Sequence, residues 1–251
     1  MKVFKDKEFW LSERKFLAGK TIGFVPTMGA LHKGHLSLIE KSLSDNDITV
    51  VSIFLNPTQF DNASDLENYP KLLEQDIALL ERSGVDYLFN PEYNYLYPDN
   101  YKYQILETEL SNILCGASRP GHFKGVLTVV MKLFNIIKPK RAYFGEKDYQ
   151  QLELIKGMVN AFFMDVEIVP CPIVRESDGL AMSSRNLRLT PSEREIAPKF
   201  YEILSSNLSD EAVIEELEKI GFRVDYITSI NNRRYGAVYL GKVRLIDNVQ
   251  K

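Results

Sequence analysis

Thr21-Ile22-Gly23-Phe24-Val25-Pro26-Thr27-Met28-Gly29-Ala30-Leu31-His32-Lys33-Gly34-His35 is the stretch that decides the fold. Thr21 to Val25 is short and apolar, as a buried parallel strand is. Leu36, Ile39 and Leu43 follow at helical spacing, so a helix begins near His35. A strand that turns through glycines into a helix leaves backbone N–H groups at the positive end of the helix. That geometry suits a phosphate. His32 and His35 flank Gly34, close enough for both rings to reach an anion held at the turn. A plain strand-to-helix turn with two surface histidines has the same local pattern, so the chemistry needs partners elsewhere in the chain.

Outward from this turn, strands and helices alternate. Lys5 to Ala18 predicts an amphipathic helix with Phe9, Trp10, Phe16 and Leu17 inward and Gly19 as its stop. Ile48 to Leu55 is apolar and β-branched, an interior strand that Pro57 brings to an end. Ligands of open α/β sheets sit beyond the carboxyl ends of the strands, which puts Asn56 and Gln59 on the rim of the histidine turn. Asp61 to Tyr69 is polar and reads as a mobile loop. Leu73, Ile77 and Leu80 mark a helix closed by Gly84, Tyr87 to Phe89 a strand, and Asn90 to Tyr103 a loop. Arg119-Pro120-Gly121-His122-Phe123 is a second turn, ahead of a helix with Val126, Val129, Val130, Leu133 and Ile137 inward. Arg141 to Phe144 is a strand, and Gly145 to Asp148 lead into a helix with Leu152, Ile155, Val159 and Phe162 inward. Val166 to Val169 closes the series. The alternation predicts an α/β fold with a doubly wound parallel sheet over residues 1–173.

Past Cys171-Pro172 the texture changes. Val174 to Asn186 is a polar connector, and Thr190-Pro191-Ser192-Glu193 is a helix start with a capping box. A helix over Asp210 to Ile220 and strands at Arg223–Thr228, Ala237–Leu240 and Lys242–Ile246 predict a small α+β domain over 174–251.

A formal charge of −3 gives no overall basic surface of the kind that holds nucleic acid. The two cysteines, Cys115 and Cys171, are too few for a disulfide framework and fit a reducing compartment. There is no apolar run of signal-peptide or membrane-spanning length. The expectation is a soluble cytoplasmic protein without membrane or nucleic-acid partners.

The polar residues on the rim form a constellation. His32, His35 and His122, all the histidines of the chain, sit on predicted rim turns. Lys147 opens a helix after a strand, as a solvated lysine also would. Asp148 suits ribose hydroxyls, or serves only as a helix cap. Ser183-Ser184-Arg185 offers hydroxyls and a guanidinium to phosphate oxygens, although it is also an ordinary surface turn. Gln59 and Gln151 are neutral and suit a substrate hydroxyl or carboxylate more than a metal. The Cys and His spacing gives no zinc site, and no nucleophile with an adjacent base is recognisable. The set points to nucleotidyl transfer from a nucleoside triphosphate, chemistry that depends on positioning and on stabilising phosphoryl charge.

Four segments carry a family resemblance: Pro26 to His35, Asn56-Pro57-Thr58-Gln59-Phe60, Phe144 to Leu152 (FGEKDYQQL) and Asp178 to Asn186 (DGLAMSSRN). In this order they resemble the pantoate–β-alanine ligases, or pantothenate synthetases, with a weaker echo at Leu245-Ile246-Asp247-Asn248. These belong to the His-x-Gly-His nucleotidyltransferases, whose fold is Rossmann-like. The resemblance implies an ATP-dependent ligase that forms pantoyl adenylate and pyrophosphate, then pantothenate and AMP. It implies an ATP site at Met28, Gly29, Ala30, Leu31, His32, Lys33, Gly34 and His35, joined by Gly145, Glu146, Lys147, Asp148 and Val174. Met182, Ser183, Ser184 and Arg185 would close over the triphosphate. His32, His35, Lys147 and Arg185 would act on the phosphates. Gln59 and Gln151, with Asn56, Arg119 and His122, would form the pantoate pocket. Mg²⁺ would ride on the phosphates rather than in a protein cage, and the family is usually homodimeric. The segment after Asn186 is short against the family's usual small domain, so the resemblance carries no contacts beyond Arg185. The competing expectation is a sister adenylyltransferase acting on another small acid or a phosphate substrate.

Overall fold

A computed structural model describes residues 1–251. Six parallel strands form the main sheet: β1 (Lys2–Phe4), β2 (Ile22–Thr27), β3 (Ile48–Ile53), β4 (Tyr87–Phe89), β5 (Arg141–Gly145) and β6 (Glu167–Cys171), in the order β1-β4-β3-β2-β5-β6. β2 pairs with β3 from Ile22↔Ile48 to Thr27↔Ile53, and with β5 at Gly23↔Arg141 and Phe24↔Ala142. The chain runs outward from β2 to β3 and β4, then returns to β5 on the other side. The strand order therefore reverses at the β2/β5 boundary, where a crevice opens beyond the carboxyl ends. The histidine turn leaves β2 at that point.

Successive side chains of a strand point to opposite faces. Phe24 packs with Val50, Phe89, Val126, Leu133 and Ile155 on one side of the sheet. Val25 packs with Ile39, Val51, Leu80 and Leu88 on the other. Both faces are covered, as a parallel sheet requires.

The small antiparallel sheet has the order β7 (Arg223–Ile230), β8 (Arg233–Leu240), β9 (Val243–Gln250). With the helices Lys199–Leu204 and Asp210–Lys219 it buries Phe200, Leu204, Val213, Leu217, Val238 and Leu245. These strands run longer than their apolar runs predicted. The polar residues that ended the sequence reading, among them Arg234, Asp247 and Asn248, are buried within the ladder and hydrogen-bonded there.

Several local expectations are corrected. β1 leaves no signal in the sequence, because a strand of Lys2–Phe4 is too short to show a period. The first helix ends at Arg14 and tightens into a 3₁₀ turn over Lys15–Leu17. Trp10 is buried, with its indole N–H on the Ile137 carbonyl at 3.1 Å. The tightened turn breaks the helical phase, and Phe16 is left 85% exposed; Phe9 is exposed as well. Phe162 lies beyond the last helical residue, Ala161, and also faces out. The polar segment 61–69 is structured: Ala63–Glu67 is a short helix capped by Asn62, and Tyr69 is buried. Its two aspartates belong to ion pairs, Asp61 with Arg119 and Asp65 with Arg185 and Arg188, which composition alone does not distinguish from a solvated loop. No helix is long and apolar enough to cross a membrane.

Candidate active site

After β2 the backbone passes through left-handed conformations at Gly29 (φ +85°) and Ala30 (φ +51°) before His32 caps the helix Lys33–Asp45. Asp76, 3% exposed, fixes this path: its two oxygens accept the Ala30 and Leu31 N–H groups at 2.8 Å each. The sequence reading missed this residue. Its signal was an acid three residues after Leu73 and four before Leu80, on the apolar face of its helix.

The two histidines cap the helix reciprocally. The Gly34 N–H donates to His32 Nδ1 at 3.1 Å and the His32 N–H to His35 Nδ1 at 3.3 Å, with ring centroids 4.1 Å apart. A Cβ on Gly34 would come within 2.9 Å of the His32 ring, so any other residue at 34 would push that ring from its capping position. Burial lowers the His32 pKa to about 4, helped by the Lys147 charge. Burial, then His32 and Lys147, lowers that of His35 to about 3. Both rings are neutral, and each Nδ1 accepts a backbone N–H. The remaining proton therefore sits on Nε2 of each ring, which is left as a neutral donor.

The turn's amides are thus occupied differently from the expectation. Gly29 donates to Thr27 Oγ1, Ala30 and Leu31 to Asp76, and His32 and Gly34 to the imidazoles. The donors left for an anion are the imidazole Nε2–H groups, with the Met28 and Lys33 N–H groups the turn amides that have no acceptor in the protein.

The rim segment after β3 is held from several sides. Asn56, 1% exposed, donates to Gln59 Oε1 and the Gly125 carbonyl and accepts from Thr58 and Tyr97. Helix His122–Ile137 approaches so closely that a Cβ on Gly125 would lie 2.3 Å from the Thr58 carbonyl oxygen. His122 Nδ1 lies 2.7 Å from the Gln59 carbonyl and its Nε2 3.2 Å from Arg119 Nη1. A carbonyl only accepts and a guanidinium only donates, so His122 is neutral with its proton on Nδ1. Burial and the Arg119 charge lower its pKa to about 3. Arg119 also pairs with Asp61 at 2.8 Å. The side-chain polar atoms of Asn56 and His122 are therefore all hydrogen-bonded within the protein, although both residues line the cavity. The Gln59 amide nitrogen faces Met28 Sδ at 3.1 Å. The Gln151 side-chain amide makes no hydrogen bond within the protein, whereas that of its neighbour Gln150 is tied to Cys115, Leu110 and Ile113.

Lys147 stands on a 3₁₀ turn, Glu146–Asp148, directly after β5, with Nζ 3.8 Å from Asp148 Oδ2. Across the cleft, the Met182 N–H donates to the Val174 carbonyl at 3.0 Å. Ser183 caps the turn Ser184–Arg188, while Ser184 is buried with its hydroxyl on Tyr69 at 3.0 Å.

A cavity of about 240 Å³ gathers these groups. Met28, His32, Gly34, His35, Asn56, Gln59, Arg119, His122, Gly145, Lys147, Asp148, Gln151, Val174, Met182, Ser183, Ser184 and Arg185 all line it. It adjoins an outer cleft of about 750 Å³ through Arg119, Lys147, Asp148, Ser183 and Arg185. Of the expected site residues, Gly29, Ala30, Leu31, Lys33 and Glu146 stay outside the cavity lining. Ala30 is buried and Lys33 points to solvent.

The family profile described as Pantoate-beta-alanine ligase matches residues 2–250. Pantothenate synthetase of Bdellovibrio bacteriovorus is 58% identical over 92% of either chain. That of Legionella pneumophila is 52% identical over 99% of either chain, so the short segment after Asn186 is shared with this relative. The crystal structure of pantoate-beta-alanine ligase from Francisella tularensis, complexed with beta-gamma ATP and beta-alanine, superimposes with a TM-score of 0.96 at 49% identity. It covers 100% of this chain and 97% of the other. Pantothenate synthetase from Thermus thermophilus gives 0.91 at 39% identity over 100% and 99%. With a match over nearly its whole length in sequence and in fold, the chain belongs to the pantoate–β-alanine ligase family.

Proposed function

We propose that this chain condenses pantoate with β-alanine at the expense of ATP, through a pantoyl-adenylate intermediate. The observation that carries the reading is the single cavity that brings together the two neutral histidines, Lys147, Arg185 and the unpartnered amide of Gln151. Pantoate's carboxylate is ionised at neutral pH and needs no protein base. One of its oxygens forms the bond to the α-phosphorus as the bond to the β-phosphate oxygen breaks, releasing pyrophosphate. The ammonium of β-alanine first gives a proton to water. The free amine then forms the C–N bond at the acyl carbon as the bond from that carbon to the phosphate oxygen breaks; AMP departs, and the second amine proton passes to water.

The protein's part is positioning and charge stabilisation. His32 and His35 donate Nε2–H to phosphate oxygens, and Lys147 stabilises the charge developing at the α-phosphorus. Gln151 and Gln59 hold pantoate, with Asn56, His122 and Arg119 fixing Gln59 in place. Asp148 meets the ribose. Val174 packs near the adenine, and Met182, Ser183 and Arg185 close over the triphosphate. No group of three or more His, Cys, Asp or Glu is arranged to hold a metal, and Asp61 and Asp65 are engaged by arginines. Mg²⁺ on this reading enters as the ATP complex, keeping much of its water.

We further propose a division near residues 173/174, a homodimer, and a cytoplasmic setting, the last suggested by the free, buried Cys115 and Cys171. Incubation with ATP, Mg²⁺, pantoate and β-alanine tests the function. Equimolar pantothenate, AMP and pyrophosphate are expected; AMP transfer to another acceptor with no pantothenate formed overturns the reading.

A further inference from the structure

We propose that Asn248, near the end of the small sheet, is the positioning residue that sets Lys147 over the reacting phosphate. The inference rests on the role given to Lys147 above. The turn Glu146–Asp148 is only three residues long and carries Lys147 at the mouth of the cavity. Asn248 is 2% exposed, and its side-chain amide donates to the Glu146 carbonyl at 2.8 Å and to the Lys147 carbonyl at 3.1 Å. Both hydrogens of that amide are thus used on the turn, which the small sheet holds from the far end of the sequence.

Asn248 is itself held on every side. Its Oδ1 accepts from Arg233, whose guanidinium lies 3.8 Å from the centre of the Tyr149 ring. Tyr149 begins the helix that follows the Lys147 turn, so Arg233 binds the same junction at two points. The Asn248 backbone N–H donates to Asp247 Oδ1 at 2.8 Å. Asp247, also buried, takes a two-pronged bond from Arg175, which lies 3.5 Å over the Tyr201 ring. A buried, fully bonded network of this kind has one low-energy arrangement, and it transmits that arrangement to the turn.

The residue type is specific. Aspartate at 248 has nearly the same shape but no N–H, and would set a carboxylate against two carbonyl oxygens. Alanine would leave both carbonyls short of a donor. Either change lets Lys147 shift, and a displacement on the order of 1 Å at a reacting centre costs on the order of 100-fold in rate. Asn248 never reaches the cavity, so ATP affinity should change far less than turnover.

The test uses the full chain and pantoate-dependent exchange of labelled pyrophosphate into ATP, with β-alanine absent. Asn248→Ala and Asn248→Asp should lower kcat by about tenfold to 100-fold, with KM for ATP within about threefold of wild type. The double variant Lys147→Ala/Asn248→Ala should be no slower than Lys147→Ala alone, because a residue acting only through Lys147 has nothing further to remove. If the Asn248 variants fail to fold, Arg233→Gln loosens the same amide from its other side. It should then show a smaller kcat loss that Lys147→Ala likewise masks. Multiplicative losses in the double variant, or normal turnover in the variants that fold, overturn the inference while leaving an active wild type and its functional reading intact. A wild type inert toward pantoate overturns both.

Discussion

Arg185 donates to Asp65 at 2.7 Å, and this pair joins two segments that the sequence kept far apart. Asp65 also receives Arg188, and Tyr69, a little further on, receives the Ser184 hydroxyl. Burial pushes the Asp65 carboxyl up, but the two guanidiniums outweigh it and hold it below the ordinary carboxylate range. The helix Ala63–Glu67 and the arm Ser183–Arg188 thus form one cover over the cavity mouth. The pantoyl adenylate proposed above would need such a cover against water.

Loosening that cover should uncouple the enzyme. Arg185→Ala should slow pyrophosphate exchange and raise pantoate-dependent ATP breakdown without amide product. Asp65→Ala removes only the tie, so exchange should stay within a few-fold of wild type while the wasteful breakdown rises. The ratio of AMP to pantothenate reads both; a ratio of one in Asp65→Ala would rule out the pair as a latch.

Asp76 should govern the histidine turn without touching substrate. Asp76→Ala leaves the Ala30 and Leu31 N–H groups buried without acceptors, at about 1–3 kcal/mol each. Thermal unfolding should shift down by several degrees and ATP binding should weaken. Asp76→Asn retains one acceptor and should fall between alanine and wild type. Wild-type stability in Asp76→Ala would show that the turn holds itself.

On the role proposed for it at the α-phosphorus, Lys147→Ala should lower kcat on the order of 100-fold or more, with a smaller effect on ATP affinity. Single-turnover adenylation with direct ATP titration separates the two. A nearly normal kcat would remove Lys147 from the chemistry.

The free rim amide of Gln151 should behave differently from the fully bonded amide of Asn56. The Gln151 side chain has no partner in the protein, so Gln151→Ala should weaken pantoate handling by about 1–3 kcal/mol, roughly fivefold to 150-fold, with stability unchanged. Asn56→Ala should cost stability as well, because Tyr97, Thr58 and Gln59 all lean on it. Unfolding midpoints measured beside pantoate KM values distinguish site from support; a stability loss in Gln151→Ala would move that residue to the scaffold.

Acid should destabilise the fold before the carboxylates titrate. Burial holds the pKa of His32 at about 4 and those of His35 and His122 at about 3, against 6.5 for a free imidazole. Between pH 6.5 and about 4 the unfolded chain binds protons that the folded chain refuses. Stability therefore falls as pH is lowered through this window, with a slope on the order of 1 kcal/mol per pH unit per ring, and is level with respect to these groups above it. Urea midpoints measured from pH 7.5 to 5 test this. The same neutrality predicts no histidine limb near pH 6.5 in the rate of adenylation, and a limb there abolished by His35→Asn would contradict it.

Much of the architecture was legible in one dimension. β2, β3 and β5 announce themselves as apolar runs ended by glycine or proline, and helix His122–Ile137 as a strict 3.6-residue period. The doubly wound sheet follows from that alternation, and with it the placement of the histidine turn, Asn56-Gln59 and Gly145-Asp148 on one rim. All three histidines do line one cavity.

What the tertiary structure alone decided is which polar groups remain free. Asp76, Asn248 and the Arg185–Asp65 pair act on residues 45, 101 and 120 positions away, and no periodicity encodes such pairings. Composition made 61–69 look loose because it cannot tell a carboxylate in water from one held between two arginines. Helical spacing left Phe16 and Phe162 inward because it carries no record of where a helix stops. A motif names the residues near a ligand. Only the hydrogen bonds already made within the fold determine whether His32, His122, Asn56 or Gln151 has a hand left to offer, since a donor or acceptor satisfied in the protein is unavailable to substrate.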